Sequence, residues 1–467
     1  MSFVDKININ IGGNTTQFTS LSLNQSLFGH HFLEVVCRRD TFEKEGNFIL
    51  DKSDQVLGEK ITVEITSENK TRNKFSGIVT QVNASKTDGP MGGDVIITAK
   101  SPDILLDDGE HCRSFEDKTP EKIVKTILDE YSFDTKNIKP KNATSSLPYT
   151  VQYKESGYAF ISRLAARKGE WFFYNGTDLV FGNLPEKSVD LKYGIDLFHF
   201  SMTLQTNDLN FKYLSRDHLN DKLIESESGK HKVSGLSKKG KVAYNKSEQL
   251  YSHATQSLYN HALSESDAQT HLDDRVKIMK NSFASGLVDL TGTSNNPDII
   301  LGCKIKITET FGEDKKKTTV EHGTYIVTGV IHTCDRNGHY QNNFTAVPAE
   351  IVVPPFTSPH AIPICETQSA VVKDNNDPDG LGRVRVQFLW QDPNQSPWIR
   401  IVSPHTGDDK GFYFIPEIGE EVLVGFEGSN AEKPYVIGSL YHGKAKPDKW
   451  VNADNDIKAI RTRSGHR

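Results

Sequence analysis

The stretch that comes nearest to a nucleotide-binding loop is 235–242. Gly235, Gly240 and Lys241 occupy positions that such a loop uses for backbone and charged contacts with phosphate. Its last position must be Ser or Thr, whose hydroxyl holds Mg²⁺, and here it is Val242. No apolar strand precedes the stretch either. The sequence therefore predicts a basic surface loop and not a phosphate site.

Histidines can hold a metal ion or transfer protons, and two groups of them are candidates. His30 and His31 are adjacent and isolated, which favours a polar patch over a ligand set. Three more lie within 245–280, which its composition predicts to be one polar helix: His253, His261 and His271. Their spacing places no two on adjacent helical turns, so a helical metal pair is not predicted. We expect these histidines to be solvated.

Adjacent carboxylates, which can serve as an acid–base couple, occur at Asp107-Asp108 and at Glu420-Glu421. Neither neighbourhood identifies such a couple, because the sequence alone does not show which carboxylates converge in space. The sequence contains no HExxH motif, no GxSxG motif and no zinc-type spacing of Cys and His. We therefore predict no catalytic residue, no cofactor-binding residue, no metal ligand and no enzymatic activity.

The cysteines are odd in number and scattered along the chain: Cys37, Cys112, Cys303, Cys334 and Cys365. None of them forms a CxxC pair. Disulfide frameworks and zinc sites require regular spacing, so buried free thiols in a reducing compartment are the prediction.

Length and composition indicate a globular, loop-rich protein of three or four units, with 467 residues, 36% hydrophobic and 25% charged. The net charge of −6 argues against nucleic-acid binding as the main task. No run approaches the ~20 apolar residues of a membrane span. Residues 1–6 lack the basic and apolar regions of a signal peptide. Neither a signal peptide nor stable membrane insertion is therefore predicted.

The first segment is predicted to be an antiparallel β-domain. Ile7, Ile9 and Ile11 alternate with polar residues, which is the period of a half-buried strand. Further strand-like runs follow at 18–23, 60–65, 75–79 and 95–99. Short strands at this spacing are typical of a barrel or sandwich.

An internal repeat links the two halves of the chain. Three pairs of segments match in the same order: 57–63 with 301–307, 77–79 with 329–331, and 98–102 with 345–348. We predict two copies of one β-domain, and the alternative is a generic similarity between short β-barrels. Two copies in a three-chain assembly would give six similar units, enough to match a six-fold ring.

Between the copies, two helices and a hairpin are predicted. Thr119-Pro120 is a typical helix start, followed by an apolar face up to Tyr131. A second helix is predicted from Ser156 to about residue 167, ended by Gly169. Asn175-Gly176 separates two aromatic runs, 171–174 and 179–181, and predicts a hairpin between them.

The last segment contains five strand-like runs: 370–372, 383–390, 399–402, 421–426 and 435–440. Five strands in a segment of this length are typical of an OB-type barrel. The most regular stretch, 377–390, is predicted to be its first long strand, entered through a turn at Gly380 and Gly382. Arg383 and Arg385 would face either water or a neighbouring chain.

Three parts of this sequence resemble the VgrG family, the spike proteins of bacterial type VI secretion, which are related to contractile-phage tail hubs. Residues 152–165 resemble the hub signature of that family, with Gly157 where an acidic residue is frequent. Residues 377–390, 398–400 and 419–424 resemble its OB barrel. Residues 460–466 resemble the beginning of its triple-stranded β-helix.

The resemblance implies a mainly β fold with α+β insertions, duplicated tube-type β-barrels, an OB-fold barrel and the start of a β-helix stalk. The expected domains are a first barrel at 1–105, an α+β insert with helix and hairpin at 106–190, a second barrel with a helical insertion at 191–352, an OB neck at 363–445 and the truncated stalk at 446–467. The short polar stalk would need partner chains or a continuation to become ordered.

The resemblance also implies a homotrimeric structural hub that sits on the Hcp tube hexamer and contacts baseplate proteins. It would puncture target membranes and carry effectors and a tip protein through a spike that lies after Arg467. It would be assembled in the bacterial cytoplasm and then driven to the exterior or into a target cell. No cofactor and no nucleic acid are implied.

Three other interpretations remain open. The chain could be the spike of an extracellular contractile injection particle or phage-like tail, which shares the architecture. It could be a tail-associated cell-wall hydrolase, which requires a cleft with paired carboxylates. It could also be a saccharide binder built on the OB barrel, with measurable glycan affinity in 363–445.

Overall fold

The structure is a computed structural model, which describes residues 4–27, 29–44, 49–87, 92–142, 145–263, 267–312, 317–355 and 361–466. Residues 1–3, which belong to the segment predicted to lack a signal peptide, lie outside the described residues.

The first β-domain is formed by seven strands, in chain order: β1 Lys6–Ile11, β2 Asn14–Thr16, β3 Ser20–Ser26, β4 Phe32–Arg38, β5 Lys60–Ser67, β6 Lys70–Ala84 and β7 Asp94–Lys100. The predicted strands are confirmed, and Ile9 and Ile11 point into the core as their alternation requires. The strand β4 was not predicted, although Leu33, Val35 and Cys37 alternate and are fully buried.

The α+β insert follows: β8 His111–Lys118, α1 Pro120–Glu130, β9 Ile138–Lys139, β10 Leu147–Glu155, α2 Gly157–Lys168, β11 Trp171–Tyr174 and β12 Leu179–Gly182. Both helix predictions are confirmed. The Thr119 hydroxyl accepts the N–H of Lys122, and Gly169 ends α2 in the left-handed region at φ 68°. Strands β11 and β12 form the predicted hairpin.

The start of α2 offers a test of its capping. The Ser156 hydroxyl accepts the N–H of Ala159 at 3.1 Å and donates to Asp107. We expect Ser156→Ala to lower the free energy of unfolding by about 1 kcal/mol, because an N–H of the first turn loses its partner. Urea denaturation measures this change. Ser146→Ala, at an exposed position outside the helices, is the control and should be neutral; equal effects of the two variants would refute the capping role.

The second β-domain and its insertion comprise β13 Ser188–Lys192, β14 Leu197–Leu204, β15 Phe211–Asp217, β16 Lys222–Glu227, α3 Lys238–Leu250, β17 Thr255–Leu258, α4 Ala268–Ser285, β18 Val288–Ser294, β19 Lys304–Phe311, β20 Thr318–Asp335 and β21 Tyr340–Pro348. Strands β15, β16 and β17 form a small separate sheet, and α4 packs on it.

Two predictions in this insertion are wrong. The stretch 245–280 is not one helix, because α3 ends at Leu250 and α4 begins only at Ala268. The stretch 235–242 is not a loop throughout: Ser237 accepts the N–H of Gly240 and starts α3. Ser237 caps a helix even though Gly235 and Gly240 flank it, and the prediction of a loop missed this cap.

The two β-domains share one sheet of thirteen strands. Its main path runs β14-β18-β21-β20-β3-β4-β7-β6-β5-β1-β2, with β19 paired to β20 and to β13. The junction between the domains is the antiparallel pair β3–β20, where Leu23 lies opposite His332. The repeat is therefore joined by backbone hydrogen bonds and not only by a linker.

Strand register shows which parts of the predicted repeat correspond. The N–H of Gly58 donates to the carbonyl of Val79 at 2.9 Å, and the N–H of Gly302 donates to that of Val327 at 2.9 Å. The register with the next strand shifts directly after each of these valines. The two copies thus share a bulge as well as a strand order.

One of the three repeat matches is wrong by four residues. Ile78 lies opposite Lys60, and Ile326 lies opposite Lys304, so 77–79 corresponds to 325–327 and not to 329–331. The other two matches agree with the register, since Ala99 pairs with Val79 as Ala346 pairs with Val327. Residues 77–79 and 329–331 look alike because both consist of a glycine followed by two β-branched residues.

The last segment contains β22 Gln368–Asp374, β23 Arg385–Phe388, a short ribbon of β24 Thr406–Gly407 and β25 Lys410–Gly411, β26 Glu421–Phe426 and β27 Pro434–Ser439. The sheet order is β23-β22-β26-β27. The strand predicted at 399–402 is reduced to two bridges, Val384 with Ile399 and Ile401 with Val436. These bridges connect the edges β23 and β27, so the sheet closes into the OB-type barrel.

The prediction for 377–390 needs correction. The first long strand of the barrel is β22, which has seven residues, whereas β23 has only four. Val384, Val386 and Phe388 are buried as predicted. Residues 446–466 carry no strand or helix and are exposed except at Pro447 and Trp450, so the stalk remains a prediction.

Candidate functional site

The site that joins the parts of this molecule lies between the OB barrel and the strand–helix unit β10–α2. Tyr149, Val151 and Tyr153 of β10 belong to the same buried cluster as the core of the OB barrel, including Val386 and Val424. We call this contact the neck junction. A core shared between two units resists their separation, because parting them would expose apolar surface to water.

Polar contacts fix the position of the OB barrel relative to strands β8 and β10. The Gln391 amide donates to Ser114 Oγ and to Tyr149 Oη, both at 2.8 Å. Arg385 donates to both carboxylate oxygens of Glu116 at 2.7 and 2.6 Å. Arg385 therefore pairs with strand β8 of its own chain, a contact that was not predicted.

A buried ion network lies at the centre of the junction. The Glu432 side chain has no exposed surface, and its Oε2 lies 2.5 Å from Arg167 Nη1. Its Oε1 lies 3.7 Å from Arg163 Nη1, and His261 Nδ1 lies 4.0 Å from Oε2. Arg163 also donates to the Val151 carbonyl at 2.7 Å. The network ties the OB barrel to α2, β10 and the insertion before α4.

Electrostatics decide the charge of this network. Burial by itself would raise the pKa of the Glu432 carboxyl, but Arg167, followed by His261 and Arg163, holds that pKa well below its usual range. Burial lowers the pKa of the Lys168 ammonium, and the charges of Arg275 and Arg167 lower it further. Glu432 is thus a carboxylate among an excess of cationic groups.

Glu432, Arg167 and Lys168 were not singled out as functional from the sequence. Arg163 and Arg167 are four residues apart and share one face of α2. That face is otherwise apolar, which is an unusual place for two arginines, and this signal was available. No local signal marks Glu432, since its two arginine partners lie more than 260 residues earlier in the chain.

A cavity of about 590 Å³ opens beside the junction. The carboxylates that line it include Glu116, Glu427 and Glu432. Each is held by cations: Glu116 by Arg385, Glu427 by Lys433 and Arg400, and Glu432 by Arg167. Salt bridges thus hold three of the five carboxylates that line the cavity, and Asp117 and Asp217 are the other two.

The turn before β23 holds a second buried ion pair. Arg383 Nη2 lies 2.8 Å from Asp377 Oδ1, and Asp379 pairs with the same guanidinium. The hydrogen bonds from Arg383 hold the pKa of the Asp377 carboxyl well below its usual range. Arg383 is 1% exposed, so it faces neither of the surroundings predicted for it.

This ion pair predicts a marked loss of stability on a conservative change. Arg383→Lys removes the two-pronged contact with Asp377, and we expect the free energy of unfolding to fall by about 2–3 kcal/mol. Thermal or urea unfolding of the variant measures the loss. Arg400→Lys, whose half-exposed side chain pairs with Glu427, is the matched control and should change stability by less than about 1 kcal/mol. A tolerated Arg383→Lys would contradict this role.

His30 and His31, which were predicted to form a polar patch, are largely buried. His31 and His332 have no exposed surface and lie in the junction between the two β-domains. His31 Nδ1 lies 3.0 Å from Gln25 Nε2, and His332 Nδ1 lies 2.7 Å from Tyr340 Oη. His30 lies between Asp103 and Asp107 at 3.1 and 2.8 Å. The pair is a buried polar cluster and not a surface patch.

The other candidate residues do not converge on one site. His261 is buried in the neck junction, His271 lies on α4, and His253 lies in the exposed loop after α3. Asp107 contacts His30 and Ser156, whereas Asp108 contacts His111 and Tyr131. The five cysteines are free thiols, and only Cys112 is partly exposed. No helix in the described ranges combines the length and apolar composition needed to cross a bilayer.

Two barrel copies in a common sheet, followed by an OB barrel, define a tail-hub class of protein. The profile of the phage tail baseplate hub (GPD) family matches residues 50–338, more than half of the chain, and this chain belongs to that family. A second profile, the type VI secretion system/phage-baseplate injector OB domain, matches residues 368–441. The resemblance to VgrG spike proteins that the motifs indicated is thereby confirmed.

Known relatives agree with this assignment. The type VI secretion system spike protein VgrG4b of Pseudomonas aeruginosa is 25% identical over 378 residues, which is 74% of this chain and 46% of the relative. The chain spans about half the length of the curated relatives it matches.

Solved structures show the same fold. The E. coli c3393 protein, a component of the type VI secretion system with structural similarity to the T4 bacteriophage tail proteins gp27 and gp5, superimposes with a TM-score of 0.60 at 16% identity, covering 92% of this chain and 99% of that one. A chain of the half-lidded Francisella PdpA–VgrG complex gives 0.56 at 10% identity, covering 95% and 79%.

Proposed function

We propose that this chain is the hub and spike base of a type VI secretion system, acting as a homotrimer. The observation that carries the proposal is the duplicated barrel in one continuous sheet. Two equivalent barrels per chain give six in a trimer, which matches a hexameric Hcp tube stacked on the base. The OB barrels then form the neck above the base.

The chemistry of the site supports a mechanical role. Glu116, Glu427 and Glu432 are paired with cations, and a wall hydrolase would need a carboxylate able to exchange a proton at working pH. The neck junction instead combines a shared apolar core with buried ion pairs, which suits a part that transmits force without bending. We therefore propose that this protein is not an enzyme and that the work comes from a contracting sheath.

Partners and location follow from the same proposal. The hub would contact the Hcp hexamer and baseplate proteins, would be assembled in the bacterial cytoplasm and would leave the cell with the tube. Effectors and a tip protein would be carried by the spike beyond the neck. An extracellular injection particle or phage-like tail remains the second candidate, since the same fold serves both, and neighbouring genes for a membrane complex or for tail fibres separate the two.

The decisive experiment measures assembly and export together. Light scattering on this chain and on the complete gene product should give a trimer in at least the longer protein. Deleting the gene should abolish release of Hcp into the medium, and the wild-type gene should restore it. A strict monomer in both proteins, or normal Hcp release without the gene, would overturn the proposal. Turnover of peptidoglycan by the purified trimer would favour the hydrolase.

A further inference from the structure

A lysine-rich surface lies in the insertion of the second β-domain, and the proposed hub gives it no role. Residues 228–246 contain six lysines and no Asp or Glu, whereas the whole chain has a net charge of −6. All six side chains are exposed, and none of them forms an ion pair among the described residues. We call these residues the lysine face: Lys230, Lys232, Lys238, Lys239, Lys241 and Lys246.

The lysine face belongs to a part of the chain that the first β-domain lacks. The strand order β3-β4-β7-β6 in that domain matches the order β14-β18-β21-β20 in the second. Residues 27–31 alone connect β3 to β4, whereas residues 205–287 separate β14 from β18. Matching a six-fold tube requires only the parts common to both domains, so the insertion is available for another contact.

Packing holds the lysine face in one position. The Ser234 N–H donates to Asn281 Oδ1 at 2.9 Å, and Leu236 packs against a buried cluster beneath α3. Gly235 has a φ of 70°, and a Cβ there would lie 1.8 Å from the Glu350 carbonyl oxygen. Chain packing therefore requires this glycine, which in the sequence resembled part of a phosphate loop. The lysines form a fixed array on an ordered surface.

Three of these lysines lie where they oppose the stability of α3. Ser237 is the N-cap of the helix, and Lys238, Lys239 and Lys241 follow within its first four residues. The N-terminus of a helix carries a positive partial charge, so cations are unfavourable there, and this turn has no acidic residue to offset them. A negatively charged partner would relieve the repulsion, which indicates that the charge serves a contact outside the chain.

The chemistry of the lysine face favours an anionic lipid surface over a protein or a nucleic acid. Every cation in it is Lys, whereas bidentate binding of carboxylate or phosphate favours Arg, and Lys is depleted at protein interfaces. Clusters of about four to eight basic residues are attracted to anionic headgroups, which require no fixed geometry. Val242 and Leu250 of α3 are 53% and 64% exposed, and apolar side chains so placed can enter the boundary between headgroups and acyl chains.

We propose that the lysine face and Val242 dock this protein peripherally on an anionic phospholipid bilayer. Gly240, Ala243 and Ser247 are the buried side of α3, and Val242 lies on the opposite side by the helical period. The helix therefore lies along the bilayer surface and does not cross it. The inference depends on the proposed function only for the number of faces, because a trimer would present three of them and bind through avidity.

Co-sedimentation of the full chain with vesicles tests the proposal. We expect binding to vesicles of phosphatidylglycerol and phosphatidylcholine in equal parts. Binding should be lost with phosphatidylcholine alone, and at high salt, which screens the charges. The triple variant Lys238→Gln, Lys239→Gln and Lys241→Gln should bind the anionic vesicles about a hundredfold more weakly, since each lysine near such a surface contributes about a factor of five.

A matched control removes the same charge elsewhere. Lys60→Gln, Lys122→Gln and Lys304→Gln change exposed lysines of the first β-domain, the α+β insert and the second β-domain outside its insertion. This triple variant should bind the anionic vesicles within about twofold of the wild type, because charges beyond a Debye length are largely screened. Equal weakening in the two triple variants would show that net charge and not the lysine face binds, and would overturn the proposal.

A tryptophan on the outer side of α3 gives an independent measurement. Brominated phosphatidylcholine in the anionic vesicles should quench the added fluorescence of Val242→Trp, because this side chain enters the bilayer boundary. Leu57→Trp, at a position of the first β-domain that is 57% exposed, is the control and should not be quenched. Absence of quenching at both positions would contradict the docking of α3.

A different anionic partner gives a different result. Binding of duplex DNA as tightly as the anionic vesicles would assign the lysine face to nucleic acid and overturn the bilayer proposal. Trimer formation and Hcp release test the proposed function separately, so a failure of vesicle binding leaves that function intact.

Discussion

Replacing Glu432 with glutamine is expected to lower the free energy of unfolding by about 3–5 kcal/mol. The isosteric amide keeps the volume but leaves the buried Arg167 without its counter-charge, at a carboxylate position with no exposed surface. Removing one partner of a buried ion pair is strongly destabilising for this reason. Urea unfolding followed by tryptophan fluorescence measures the loss, because Trp390 and Trp398 report on the OB barrel.

Two further variants distinguish the effect of breaking the buried ion pair from the effect of removing a carboxylate in general. Glu366→Gln removes a carboxylate from an exposed pair with Lys154, and its effect should be far smaller. The double variant Glu432→Leu with Arg167→Met replaces the pair by apolar groups and should recover much of the lost stability. A Glu432→Gln variant as stable as the wild type would refute the role of the network in holding the neck.

Mild acid is expected to destabilise the junction between the two β-domains. Burial lowers the pKa of His31 from 6.5 to about 4, against a raising effect of Asp103. Burial likewise lowers the pKa of His332 from 6.5 to about 3, helped by the charges of His31 and Lys187. Both imidazoles are therefore neutral in the folded protein at pH values where the unfolded chain is protonated.

The sign of the effect follows from proton linkage. The unfolded chain binds more protons below pH 6.5, so stability falls as the pH drops from 6.5 towards the folded pKa values. Between pH 6.5 and pH 5 each histidine should remove about 2 kcal/mol, at about 1.4 kcal/mol per pH unit. His30 has a raised pKa, so the stability that it contributes is present within this window and is lost as the pH rises above 6.5.

Glutamine substitutions test this dependence. His31→Gln and His332→Gln should each remove their share of the slope of unfolding free energy between pH 6.5 and pH 5, whatever their effect at neutral pH. His339→Gln, whose side chain is 80% exposed, should keep the wild-type slope. An unchanged slope in both buried variants would show that these imidazoles are not held neutral.

Local elements could be predicted from the sequence because their causes are local. Alternation at Ile9 and Ile11 defines a strand face, and Thr119 and Ser156 cap helices through their own side chains. The Asn175-Gly176 turn makes a hairpin of the two aromatic runs around it. The duplication, the hub motif and the OB motif could also be recognised from the sequence, because they depend on the order and spacing of residues along the chain. That information was enough for the family and for most of the fold.

The tertiary structure alone decided where the charged and polar residues act. Glu432 meets Arg167 across 265 positions of sequence, and His332 meets Asn73 across 259, so no local pattern reveals either contact. The same applies to Arg383 and to the histidines expected in water, because burial depends on what packs above a residue. The joining of β3 to β20 is a property of the folded sheet. This pairing places the two copies of the repeat in one continuous sheet.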